Sequence, residues 1–167
     1  AQLLPMNLSA NVVRWLTSLN MNKFKGEPRP HKPALLLAVL ELAENGQLSE
    51  NRIYFDPLLT EFFGEYWQAV AGKEVGKIEY PFWYMKSEPF WHLAALPGQE
   101  SAVQQQGSSP VSTKWLREHV AYAWLDDAFF EATQTEEVRD QMRGILVASY
   151  FPDKKEAVAR IRTFEQS

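Results

Sequence analysis

Two segments hold the residue types best suited to chemistry in this chain: Arg29-Pro30-His31-Lys32-Pro33 and Tyr80-Pro81-Phe82-Trp83-Tyr84-Met85-Lys86. In the first, Pro33 suits the opening position of a helix, which sets Lys32 at the N-cap and His31 just before it. Cations there oppose the helix dipole at a cost of a few tenths to about 1 kcal/mol, unless an anion such as phosphate joins the free N–H groups. Long side chains turned out to solvent would also relieve that cost. The second segment sets four aromatic rings and a proline ahead of a cation. Pro81 biases Tyr80 toward extended geometry, so alternation sends Tyr80, Phe82 and Tyr84 to one face and Pro81, Trp83 and Met85 to the other. Both faces are apolar; one enters the core, and the other is covered by a neighbour or left as a binding patch. Together the segments suggest an anion site floored by apolar rings, which is recognition chemistry more than catalysis. A plain core strand is the competing reading of the aromatic run.

The elements that must position these residues are mostly helical. Leu8, Val12, Trp15, Leu16 and Leu19 fall at helical spacing with Ser9 as a cap. From Lys32 to Asn45 the sequence is apolar on nearly every side and closes at Gly46, the pattern of a helix in the middle of a bundle. Arg52 to Phe55 reads as a short strand, and Asp56-Pro57 as the N-cap and first residue of a helix through Trp67. Gly72 to Glu79 is a charged loop, and Phe90 to Leu96 a short strand ended by Pro97-Gly98. The polar stretch Gln104 to Pro110 reads as a surface loop. Helices are then expected from Ser112, over Asp126 to Ala132, from Thr135 as a cap through Tyr150, and after Asp153 as a cap. The fold class is mainly α: a compact helical domain around a buried central helix with a small β element, one domain over residues 1–167.

Composition bounds the function. With 46% apolar and 13% aromatic residues in 167, the chain has ample core without staples. It has no cysteine, which rules out disulfides and thiolate metal sites and suits a reducing cytoplasm. No membrane-spanning run or signal peptide is visible. The net charge of -4 argues mildly against nucleic acid, but its distribution does not. Residues 1–32 carry Arg14, Lys23, Lys25, Arg29 and Lys32 against Glu27 alone, while residues 126–137 hold five carboxylates and no cation. One face can be basic on an acidic molecule. Glu41, Glu44, Glu61 and Glu65 recur at helical spacing, the last two without a histidine near and reading as solvent-facing. His31, His92 and His119 are far apart, and no metal-ligand spacing, phosphate loop or nucleophile motif is present, so no cofactor and no metal are expected.

His31-Lys32-Pro33-Ala34-Leu35-Leu36-Leu37, Ile53-Tyr54-Phe55, Tyr80-Pro81-Phe82-Trp83, Phe90-Trp91-His92-Leu93 and Tyr150-Phe151-Pro152 resemble, in that order, the sulfur-binding domain of phosphorothioate-dependent HNH-type restriction endonucleases. The resemblance covers almost the whole chain and rests on order and spacing. It implies a module that recognises double-stranded DNA in which sulfur replaces a non-bridging phosphate oxygen, serving bacterial defence. The cut would be made by a C-terminal HNH nuclease domain of the parent protein, absent from these residues, so this chain is expected to bind and not to cut. The resemblance places the apolar wall of the sulfur pocket on Tyr80 and Pro81, with Tyr84 on its rim where the family also accepts a small residue. His31 and Lys32 correspond to its His-basic pair, lysine giving a point charge where arginine would give a planar fork. The base-reading loop corresponds to the Gln104–Ser109 stretch, with Gln105, Gln106, Gly107, Ser108 and Ser109 as contacts; glutamine amides suit adenine in the major groove.

The physics of sulfur selection stands apart from that correspondence. Sulfur is larger, more polarisable and a poorer hydrogen-bond acceptor than oxygen, so it sacrifices less hydration against a proline ring and aromatic edges. Phosphate oxygen in the same place loses hydrogen bonds without replacement, at about 1–3 kcal/mol. Arg29, Lys32, Lys86 and Lys114 would supply attraction to the DNA backbone that is independent of sequence. The rival from another class is a protein-interaction module docking a peptide on the Tyr80–Tyr84 patch. Salt-sensitive binding would separate the two.

Overall fold

The computed structural model of the chain describes residues 8–21, 23–24, 27–28, 30–72 and 76–166. Helix α1 (Ala10–Thr17) starts where Ser9 accepts the Val12 amide, and it buries Val12 and Leu16. A two-residue antiparallel pair, β1 (Lys23–Phe24) and β2 (Glu27–Pro28), leads to α2 (His31–Glu44). Every residue from Lys32 to Leu42 is buried, so α2 is the axis on which the domain packs. Helices α3 (Pro57–Ala71) and α8 (Glu136–Tyr150) lie against it, α1 lies against α8, and α9 (Lys155–Gln166) lies against α3. Asp56 caps α3 at the Leu59 amide and Thr135 caps α8 at the Val138 amide, as their residue types predict. Gly72 ends α3 with φ at 85°, a conformation that glycine adopts without strain.

The carboxylates of α2 serve this packing. Glu41 is buried and accepts the Tyr66 hydroxyl of α3 and the Asn45 side-chain amide. Glu44 sits 3.2 Å from Arg139 and 3.6 Å from Arg143, both buried on α8. Glu61 is exposed and Glu65 half-buried on α3.

Several expectations need correction. The aromatic run is not extended: it forms α4 (Glu79–Tyr84) and a 3-10 turn over Met85–Ser87. Pro81 is the third residue of α4, where no helical N–H is needed, so the bias it places on Tyr80 is overridden by burial of the next turn. The alternating faces disappear with the strand: Pro81, Phe82, Trp83 and Met85 are buried, while Tyr80 and Tyr84 are half-buried. The Arg52–Phe55 strand reduces to one bridge between Ile53 and Ala123, with reciprocal hydrogen bonds of 2.7 and 2.8 Å. Asp153, expected as a cap, lies within a 3-10 turn (Pro152–Lys154) that runs into α9.

The expected strand after Phe90 is present as β3 (Trp91–Ala95) and pairs antiparallel with β4 (Val120–Leu125), Trp91 opposite Leu125 and His92 opposite Trp124. Between them run α5 (Glu100–Gln106) and α6 (Thr113–His119), the latter capped by Ser112 at the Trp115 amide. α7 (Asp127–Ala132) follows β4. Among the described residues no helix is long and apolar enough to cross a membrane.

Candidate functional site

The first turn of α2 sets one side of the site. The helix begins two residues earlier than Pro33 predicts, with Pro30 at the cap position and without a side-chain cap bond. Lys32 is therefore the second helical residue and not the N-cap, and Pro33 the third. Proline is tolerated there for the same reason as at the first position, because the first-turn amides have no helical partner. The His31 ring packs 4.5 Å from the Trp67 ring of α3 and 6.3 Å, edge on, from Tyr80. Trp67 is itself backed by Gly76: a Cβ at that position would lie 2.5 Å from a ring carbon, so a larger residue there must displace the ring.

Helix α4 supplies the opposite side. In a helix, residues three and four apart share a face, which brings Pro81 and Tyr80 to the side of Tyr84. All three line a cleft of about 420 Å³ with His31 and Lys32. The five residues assigned to the sulfur pocket thus converge on one cavity, although 48 residues separate the two groups in sequence and the geometry expected for the second was wrong. Asn20, Met21 and Pro110 complete the lining. Sequence reasoning missed these three, and nothing local marks them, since they reach the cleft through tertiary packing.

Lys32, which lines the cleft, belongs to a buried ion pair. Lys32 Nζ lies 2.7 Å from Glu88 Oε2 and donates to Ser87 Oγ at 3.2 Å; the two charged side chains are 9% and 5% exposed. The same carboxylate oxygen accepts the Asn20 backbone N–H at 2.9 Å. Behind it the Tyr150 hydroxyl donates to the Leu16 carbonyl at 2.7 Å and accepts the Leu19 N–H at 3.0 Å. Burial pushes the Tyr150 phenol above its ordinary range; the Leu19 hydrogen bond opposes this and the nearby Glu88 charge adds to it. Glu88 was not among the expected site residues.

The expected base-reading loop is held to this cleft, with a different local form. Gln105 and Gln106 end α5, and Gly107, at φ 57°, turns the chain into Ser108 and Ser109. Trp83 Nε1 donates to the Ser109 carbonyl and the Tyr84 hydroxyl to the Ser108 carbonyl, each at 3.1 Å. Gln106 Nε2 donates to the Pro110 carbonyl at 3.0 Å, which leaves Gln105 as the fully exposed amide of the pair. Of the expected backbone cations, Lys86 lies 4.6 Å above the Trp83 ring beside the turn. Lys114 is exposed on α6, 3.7 Å from Glu118, a separation worth little in water. Arg29 lies outside the described residues.

The cleft thus joins Pro81 and two tyrosines to a histidine and a partnered ammonium, and a polar turn is tethered to its α4 wall. The family model for the ScoMcrA-like DNA sulfur-binding domain matches residues 9–161, and the chain belongs to that family. Among solved structures it is similar to one described as the sulfur binding domain of SprMcrA complexed with phosphorothioated DNA. The TM-score is 0.58 and the identity 18%, over 84% of each chain, a likeness of fold. A search of curated proteins finds no match.

Proposed function

We propose that this domain recognises double-stranded DNA carrying a backbone phosphorothioate and that the sulfur seats in the cleft between the first turns of α2 and α4. The observation that carries this reading is the convergence of His31, Lys32, Tyr80, Pro81 and Tyr84 on one cavity in a chain of the sulfur-binding family. Pro81 and the tyrosine edges form the apolar wall, and His31 faces the rest of the diester. The exposed turn, with Gln105, Ser108 and Ser109, lies against the neighbouring bases, and Lys86, Lys114 and Arg29 track the backbone. As in the endonucleases it resembles, the domain acts as the targeting head of a modification-dependent restriction enzyme, with an HNH nuclease domain elsewhere in the parent protein making the cut inside the cell. The peptide-docking reading loses its basis in α4, where Phe82, Trp83 and Met85 are core residues and no continuous aromatic strip remains.

The test is a gel shift with three matched duplexes: one with an Rp phosphorothioate, one with Sp, one unmodified. One stereoisomer should bind at least tenfold more tightly than the unmodified duplex, because only one of the two non-bridging positions can face the cleft. Equal binding of all three overturns the proposal. Incubated with modified plasmid and Mg²⁺ or Mn²⁺, this chain should leave the DNA intact.

A further inference from the structure

We propose that Glu88 sets the preference of the cleft for sulfur over oxygen, by neutralising Lys32 before DNA arrives. This rests on the phosphorothioate reading of the same site. An ammonium free to swing into the cleft would attract any phosphodiester, and it would favour oxygen, the better hydrogen-bond acceptor, through a charge-assisted bond about twice as strong as a neutral one. Lys32 is not free in this way. Two of its three donors are taken, by Glu88 at 2.7 Å and Ser87 at 3.2 Å, and the pair is more than nine-tenths buried. Glu88 is itself fixed by the backbone N–H of Asn20 at 2.9 Å, a residue that lines the cleft with Met21. The carboxylate therefore cannot swing aside without breaking two bonds. What remains to the non-bridging atom is the apolar surface of Pro81 and the tyrosines, which costs oxygen more hydration than it costs sulfur.

A purely structural role would not need Lys32 to line the cleft, and an apolar pair of similar volume commonly stabilises a protein as well. The two roles separate experimentally. Affinities of the parent, Glu88→Gln and the double variant Lys32→Met with Glu88→Gln are measured for the better-bound phosphorothioate duplex and for unmodified duplex across a salt series. Glutamine keeps an acceptor for Lys32 and for the Asn20 amide and removes only the charge. Glu88→Gln should tighten unmodified DNA several-fold more than modified DNA, so the preference drops at least about threefold, and the slope of log affinity against log salt should steepen by up to about 0.9. The double variant should keep the parental slope, because the masked cation and its mask leave together.

If Glu88→Gln keeps the parental preference, Glu88 is a structural residue and the inference falls. It falls equally if the double variant loses about one unit of slope, since Lys32 would then be a phosphate contact in the complex. Should Glu88→Gln fail to fold, the double variant decides alone. A parent domain with no preference for the modified duplex overturns the phosphorothioate reading and this inference with it, whereas a parent preference unmoved by Glu88→Gln overturns only the inference.

Discussion

Pro81 gives the sharpest test of the cleft wall. It is the third residue of α4, buried on one side and lining the cleft on the other. Pro81→Ala removes two ring methylenes, each worth about 0.8 kcal/mol when fully buried. Shared between core and cleft, they assign about 1 kcal/mol to contact with sulfur, so the preference for modified over plain DNA should fall roughly fivefold. Pro81→Asp adds a carboxylate about 4 Å from the diester. The repulsion is worth about 1 kcal/mol in water and about 4 kcal/mol at the dielectric of a protein surface, a loss of roughly fivefold to nearly a thousandfold for either duplex. The hydrated carboxylate also wets the wall, which removes the penalty on oxygen and with it the remaining preference. Neither variant should unfold, since an acidic residue in the first turn of a helix complements its dipole. Fluorescence anisotropy on labelled duplexes reads the affinities, and far-UV circular dichroism the fold. A folded Pro81→Asp that prefers the phosphorothioate duplex by the parental margin would falsify the assignment of sulfur to this wall.

Gly76→Ala should press a methyl group into the Trp67 ring, destabilise the domain by about 1–3 kcal/mol, and weaken binding of modified DNA as His31 loses its backing; an unchanged melting temperature and affinity would show that Trp67 yields freely. The raised Tyr150 phenol makes a prediction about pH. The folded state holds this proton more tightly than the unfolded chain, so its contribution to stability is complete below about pH 10 and is lost as pH rises through the folded value. In urea titrations across alkaline pH, Tyr150→Phe should lose stability less steeply above about pH 10 than the parent. Parallel curves would place the alkaline loss elsewhere.

The parts of this fold legible in sequence are those set by local chemistry. Ser9, Asp56 and Thr135 are readable as caps, and Ser112 as a helix start, because a cap acts on an amide three residues away. The buried axis α2 was readable because an all-round apolar helix has one place to go. The failures share a cause in tertiary packing. Strand β4 follows α6 without a turn residue, and its large side chains, Tyr122 and Trp124, face outward while Ala123 and Leu125 fill the core, so neither a breaker nor the usual polarity marks it. The α4 run looked extended because a proline rule that holds for isolated dipeptides was applied to a segment whose Phe82 and Trp83 are wholly buried. For the site, residue types brought forward His31, Lys32, Tyr80 and Pro81, which the fold gathers on one cleft. The partner of Lys32 is 56 residues away, and only the folded chain reveals that its charge is already spent.

The two bonds from Trp83 and Tyr84 to the carbonyls of Ser109 and Ser108 tie the cleft wall and the Ser108–Ser109 turn together as one body. On the proposed function, such a body works as a ruler: the spacing between the modified linkage and the nearest base it can inspect is built into α4 and cannot drift. Changes of side chain at Gln105, Ser108 or Ser109 can then alter which base is accepted, but not its distance from the sulfur. Relatives that inspect a base at another offset would have to rebuild the Trp83 and Tyr84 tethers, and the tethers, more than the turn, would record that offset.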